Sequence, residues 1–223
     1  MAPAHTTLAT VAPPGAVLIG IADDGQQIVL HPAEAPLVAH AAAKRRRDFA
    51  LGRACAHAAL AGLGEPGAAV DRAVSGAPLW PEGVVGSITH THGFAAALAG
   101  RADVFGAMGI DAERRGGVDD ALAPRLFAAC ELALLSGLDA PRRRIAATLL
   151  FSAKEAYYKL FHPLAGRRLD FRQVEVALGD GTLGDGTFSA CQPGAPDAWR
   201  RPIGGRFAVM DDLVVTAISL RAG

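Results

Sequence analysis

The sequence predicts an α+β chain built as two similar α/β lobes joined near residues 101–106, with residues 1–105 and 106–223 as the two units. Two observations carry this reading. A helical pattern followed by strand patterns occurs twice, and no low-complexity linker separates the two occurrences, so the lobes are expected to share an interface. A third observation sets the scale: 51% of the 223 residues are hydrophobic, enough to bury a sizeable core without disulfide or metal staples.

In chain order, residues 17–30 (VLIGIADDGQQIVL) read as two short strands around a DDGQ turn. From Pro36 to Leu63 the apolar positions Leu37, Ala41, Phe49, Ala56 and Leu60 recur at helical spacing, and GLGEPG ends the run. VVGSITH, THG and FAAALAG then predict strand, turn and strand, and VFGAMGIDAE a further strand. In the second half, helices are expected near 119–136 and 142–161. Strands are expected near 171–178, 186–191, 205–210 and 213–220, with DGTLGDG and MDD as turns.

Lys+Arg and Asp+Glu balance at 22 each, so net charge argues for neither a nucleic-acid nor a membrane partner. Three cysteines (Cys55, Cys130, Cys191) without a CxxC pattern suit reduced thiols better than disulfides or a zinc site. The first residues lack a basic leader and an apolar run, and no apolar stretch approaches the ~20 residues that cross a bilayer. A soluble, cytoplasmic protein is expected.

Four segments could carry chemistry. In GIDAE, Asp111 and Glu113 lie two apart on a strand and leave the same face. Two carboxylates there repel unless a cation sits between them, and magnesium is a hard ion suited to oxygen ligands. A strand-end pair beside Arg114 and Arg115 is the blander account, and this segment alone favours it. In FSAKEAYYK, Glu155 and Lys159 are four apart and share a helix face, a common surface pair, but here set among aromatic and apolar residues. Only Lys44, Lys154 and Lys159 are lysines, and two of them fall in this segment. In GSITHTHG, His90 and His92 alternate on a strand without a third ligand to complete a zinc site. In KRRRDFALGR, Arg45, Arg46 and Arg53 fall on one side of a helix, either a solvated face or a phosphate clamp.

Taken in order, RRRDFALGRACAHAAL, GAPLWPEGVVGSITHTHG, GIDAE and FSAKEAYYKLFHPL closely resemble the Sfp-type (group II) 4′-phosphopantetheinyl transferases. The likeness is strongest to the branch with EntD-like and actinobacterial enzymes of siderophore and polyketide assembly lines. It spans most of residues 44–164. The resemblance implies a pseudo-dimer of two α/β lobes with coenzyme A and Mg2+ in the cleft between them. It implies transfer of phosphopantetheine from coenzyme A, the co-substrate, to a serine of acyl or peptidyl carrier proteins by a monomer. Asp111, Glu113 and Glu155 match the metal carboxylates, with Glu155 also the base that takes the serine proton. Lys159 matches the lysine on the transferred phosphate, Lys154 its neighbour, and His90 the histidine on the diphosphate. Arg45 and Arg53 match the 3′-phosphate contacts, and Gly76, Pro78 and Thr89 fall where relatives wrap the adenine.

Two departures stand out. The loop that often carries a lysine for the 3′-phosphate reads SGAP, with Ala77, leaving Arg72 to compensate. Ala112, between the carboxylates, offers no ligand. Arg142, Arg143 and Arg144 are the expected contribution to a carrier-docking surface. A magnesium-dependent nucleotide diphosphate hydrolase and an inactive coenzyme A-binding regulator are the alternative readings; the full Asp111, Glu113, Glu155 and Lys159 set argues against the regulator.

Overall fold

The computed structural model describes residues 4–179, 183–210 and 212–223. The expected turns at 180–186 and 210–212 therefore lie partly outside the described residues. In chain order the elements are α1 (Ala4–Val11), β1 (Val17–Ala22), α2 (Ala43–Gly62), β2 (Asp71–Arg72), β3 (Pro78–Leu79), β4 (Val84–Thr91), β5 (Phe94–Arg101) and β6 (Phe105–Arg114). They continue as α3 (Ala123–Leu126), α4 (Ala129–Ser136), α5 (Ala140–Ala165), β7 (Glu175–Leu178), β8 (Asp185–Cys191), α6 (Asp197–Arg200), β9 (Ile203–Val209) and β10 (Leu213–Arg221).

Period-two alternation decides how the first lobe packs. Ala95, Ala97 and Ala99 on β5 face Leu51, Cys55, Ala56, Ala59 and Leu60 of α2. Phe94, Ala96 and Leu98 take the opposite face. The sheet order is β1-β5-β4, all antiparallel. The second lobe lays α5 across an antiparallel sheet ordered β6-β10-β9-β8-β7. A third core joins the lobes, where Phe94, Ala96 and Leu98 meet Met108, Ile110 and Ala112 of β6 and Val215 and Ala217 of β10. The interface expected from the missing linker is a shared hydrophobic core, which fixes one lobe against the other.

Three local expectations are corrected. The helix read as 36–63 is a 3-10 turn at Ala35–Val38 followed by α2 from Ala43, because Val38 and Glu34 are drawn into the lobe and pull the chain off the helix axis. The segment after the DDGQ turn is no strand: Asp23 and Asp24 cap the turn, and Arg47 of α2 donates to the Gln26 carbonyl, holding this segment on the helix. The helix read as 142–161 runs from Ala140 to Ala165. It is capped by Asp139, which accepts from Arg142 N (2.9 Å), and is stopped by Gly166 at φ 63°.

One glycine decides where α5 sits. A Cβ on Gly109 would stand 1.9 Å from the Ala156 carbonyl oxygen and 2.8 Å from its carbon. Only glycine lets strand and helix approach this closely, and the approach sets Glu155 and Lys159 beside the strand that carries Asp111. Gly109→Ala is expected to push α5 away, costing about 1–3 kcal/mol of stability and most of any activity seated there. Urea unfolding beside a turnover assay checks both.

Candidate active site

Asp111 lies near the end of β6, opposite Thr216 of β10 in the register. Thr216 and Ser152 of α5 share a buried hydroxyl–hydroxyl hydrogen bond of 2.9 Å. This bond ties α5 to β10, the strand paired with β6 at Asp111. Asp111 itself is 4% exposed. Its Oδ1 accepts from Lys159 Nζ (2.7 Å) and from Thr89 Oγ1 (3.1 Å), while Lys159 also donates to the Ile110 carbonyl (3.1 Å) and to Thr89 Oγ1 (3.1 Å). Its Oδ2 is buried without a hydrogen-bond partner. A buried carboxylate oxygen left bare costs on the order of 1–3 kcal/mol, so a donor or cation brought to it would be stabilising.

Glu113, on the same strand face, and Glu155, one turn before Lys159 on α5, make no hydrogen bond or ion pair among the described residues. Burial, Asp111 and Glu155 push the Glu113 carboxyl up from 4.5 to about 7, with Lys159 opposing. Burial and then Asp111 push Glu155 upward as well. Glu113 thus feels both other acids, and Glu155 feels Asp111, around a single ammonium. Among the described residues no three His, Cys, Asp or Glu side chains form a ready ligand set. The acid cluster is therefore an electrostatic neighbourhood, and Lys159 takes the Asp111 oxygen facing it.

Beside this cluster lies a cleft of about 210 Å³ between the lobes. One wall is Ser75–Pro78 with Gly86–Ile88, and the other is Tyr158, Lys159, His162 and Pro163. A smaller cationic pocket shares Gly76, Pro78 and Ile88 with it and adds Arg45, Arg53, Arg72 and His90. Arg45 Nη1 donates to His90 Nε2 (3.1 Å). His90 is held below its ordinary range by desolvation, with Arg45 and Lys159 adding to it and Asp48 opposing. A neutral ring accepting from Arg45 presents its other nitrogen as the donor.

The structure brings together Asp111, Glu113, Glu155 and Lys159 in one neighbourhood, and Arg45, Arg53, Gly76, Pro78 and His90 in the adjoining pocket. Arg46, grouped with Arg53 by helical phase, instead donates to the Ala41 carbonyl at the start of α2. Two expectations are corrected. Lys154 does not face the cleft: it is fully buried on the other side of α5, paired with Glu131 (2.7 Å) and donating to the Phe171 and Val174 carbonyls. The reason is helical phase, since a residue one step before Glu155 is turned ~100° away from it. Thr89 does not wall the Gly76–Pro78 pocket: it is 3% exposed on the opposite face of β4 from Ile88 and His90, and its hydroxyl serves Asp111, Lys159 and the Ala112 N–H. Arg72, expected to compensate for Ala77, lines the cationic pocket with Arg45, Arg53 and His90. Sequence reasoning missed Tyr158 and His162, whose rings lie 5.3 Å apart on the cleft wall. Their i,i+4 spacing from the KEAYYK segment was the available signal.

This geometry sits within two matching family models. Residues 33–100 match the 4′-phosphopantetheinyl transferase N-terminal domain. Residues 107–209 match the 4′-phosphopantetheinyl transferase superfamily model. The chain is 42% identical over 204 residues to 4′-phosphopantetheinyl transferase Svp of Streptomyces mobaraensis, covering 90% of this chain and 82% of that protein. The chain belongs to the 4′-phosphopantetheinyl transferase superfamily. This transferase is also 36% identical over 219 residues to 4′-phosphopantetheinyl transferase Npt of Nocardia iowensis, covering 94% of this chain and 98% of that protein. It is 38% identical over 201 residues to 4′-phosphopantetheinyl transferase PptT of Mycobacterium tuberculosis, covering 85% of each chain.

Proposed function

We propose that this transferase moves 4′-phosphopantetheine from coenzyme A to a serine hydroxyl of an acyl or peptidyl carrier protein, releasing 3′,5′-ADP. The observation that carries the reading is the buried, half-satisfied Asp111 beside Lys159, with two uncompensated glutamates on the same side of the inter-lobe cleft. In the reaction the serine oxygen forms a bond to the β-phosphorus while the bond from that phosphorus to the ADP oxygen breaks. Glu155, held above its usual range, accepts the serine proton. Lys159 and His90 donate to the diphosphate oxygens, where charge builds up as the bond breaks. Arg45, Arg53 and Arg72 hold the distal phosphate and orient the nucleotide.

A divalent cation, read here as Mg2+, fits the donor set: Asp111 has a bare oxygen, and Glu113 and Glu155 are all-oxygen donors without partners. Three carboxylates and a diphosphate around one ammonium require further positive charge, which the ion would supply, neutralising negative charge on the leaving group. Asp111, Glu113 and Glu155 are the residues that would hold it. We read the chain as a monomer acting in the cytoplasm; no helix among the described residues is long and apolar enough to cross a membrane.

Incubation with coenzyme A, Mg2+ and an apo-carrier protein, followed by mass spectrometry of the carrier, tests the activity. Release of 3′,5′-ADP without carrier modification would favour the hydrolase reading and overturn this one.

The cation has its own test. Without metal the folded Glu113 binds a proton up to about pH 7, whereas its ordinary value is 4.5, so the folded state carries more bound protons between these limits. Unfolding free energy then falls as pH rises through that window, the reverse of an ion-paired carboxylate. In chelator the melting temperature is expected to drop from pH 5 to pH 8, and the rise on adding Mg2+ to grow over the same range. Glu113→Gln should flatten both trends; a Mg2+ effect independent of pH and of Glu113 would remove this residue from the ligand set.

A further inference from the structure

Behind the phosphate pocket lies a fully buried acid that the mechanism leaves unused. Glu34 is 0% exposed, on a segment where sequence reading found no functional residue. Its Oε1 accepts from the Val70 N–H (2.8 Å) and lies 2.9 Å from His57 Nε2, while Oε2 lies 3.0 Å from the same nitrogen. Arg53 Nε stands 3.8 Å from Oε1. Arg53, 5% exposed, rests over the Phe49 ring at 4.4 Å and donates through Nη2 to the Asp71 carbonyl (3.1 Å), and its Nε has no hydrogen-bond partner. Arg53 lines the cationic pocket; Glu34 does not and stands behind it.

We infer that Glu34 is a positioning residue for the phosphate pocket, holding Arg53 and the 70–78 hairpin where they meet the 3′-phosphate of coenzyme A. The inference rests on the proposed function and names a residue beyond it. Two physical arguments support it. A guanidinium this buried, with Arg45 and Arg72 adding like charge, needs a counter-charge, and Glu34 supplies it at the back, leaving the front free for phosphate. The same carboxylate grips the chain at Val70 while Arg53 grips it at Asp71. The hairpin that follows closes through Ala73 N to the Ala77 carbonyl (2.9 Å) and carries Arg72, Gly76 and Pro78 into the pocket. Without Glu34 both walls lose their common anchor. His57, stacked on His31 at 6.1 Å, completes the cage on the α2 side.

The experiment compares coenzyme A with 3′-dephospho-coenzyme A, which lacks only the group in question. Calorimetry measures binding of each to wild type, Glu34→Gln and Glu34→Ala, and carrier modification gives KM and kcat. Glu34→Ala is expected to weaken coenzyme A at least tenfold, about the loss of one charge-assisted hydrogen bond, with kcat much less affected. Its affinity for 3′-dephospho-coenzyme A should be nearly unaltered. Glu34→Gln, which keeps an acceptor for Val70 N but no charge, should fall between, and it carries the test if the alanine variant fails to fold. In an Arg53→Ala background, Glu34→Gln should have little further effect on coenzyme A affinity. Equal weakening of both ligands, or of neither, overturns the inference. Binding without transfer by the wild type would overturn the proposed function instead, and leave the Glu34 comparison readable.

Discussion

Glu155→Gln is expected to slow carrier modification roughly a thousandfold, within the range for loss of a general base, without loss of stability. Glu155 makes no hydrogen bond or ion pair among the described residues, and it is pushed upward by burial and by Asp111. An amide of the same shape removes that repulsion, so the melting temperature in chelator should hold or rise. Asp111→Ala is expected to lose activity to a similar degree by a different route. It strips Lys159 of the oxygen it contacts at 2.7 Å and Thr89 of its acceptor, so it should destabilise the fold as well. Single-turnover transfer followed by mass spectrometry, beside thermal unfolding, separates the two. If Glu155→Gln modified the carrier at near wild-type rate, the base would lie elsewhere. If Asp111→Ala were as stable as wild type, the half-satisfied carboxylate would not be the anchor described above.

The second large effect lies outside the cleft. Lys154→Met is expected to cost about 3–5 kcal/mol, the range for breaking a buried ion pair by removing one partner. Lys154 holds Glu131 at 2.7 Å and the Phe171 and Val174 carbonyls at 2.7 and 2.6 Å, while Glu131 accepts from Ala128 N (2.7 Å) and Val176 N (2.8 Å). The pair therefore ties α5 to α4 and to the start of β7. Pairing Lys154→Met with Glu131→Gln should recover part of the loss, because no bare charge is then left inside. Urea unfolding reads the stability. Coenzyme A affinity of the folded variant should stay within about threefold, a change well under 1 kcal/mol. A large affinity loss at unaltered stability would return Lys154 to the cofactor site.

Much of this fold was legible in the residues. The strand–turn–strand pattern at β4 and β5, the strand pattern at β6 and the helical spacing of apolar residues in α2 predicted those elements, because a strand or helix that packs on a core draws on apolar residues at positions set by its own geometry. The DDGQ turn was read correctly, and Asp23 and Asp24 cap it, but the strand expected after it was not formed. Its Gln26 carbonyl is claimed by Arg47, a residue on α2 far along the sequence, and local propensity carries no record of that. The break in the helix read as 36–63 has the same origin: Glu34 and Val38 are held by partners that a helical wheel does not contain.

By itself the sequence determined which residue types the chemistry draws on: two acids two apart on a strand, an acid and a lysine four apart on a helix, and arginines one face of a helix away. Spacing along a regular element fixes which side chains share a face, and that is a local property. Only the tertiary structure decided which faces meet. Gly109 lets α5 close on β6, which puts Lys159 on Asp111 and turns Lys154 away into a buried pair. Glu34 acquires its place behind Arg53 only when the segment before α2 and the segment before β2 close around it. These are contacts between elements remote in sequence, set by how closely backbones can pack and by where buried charges find partners.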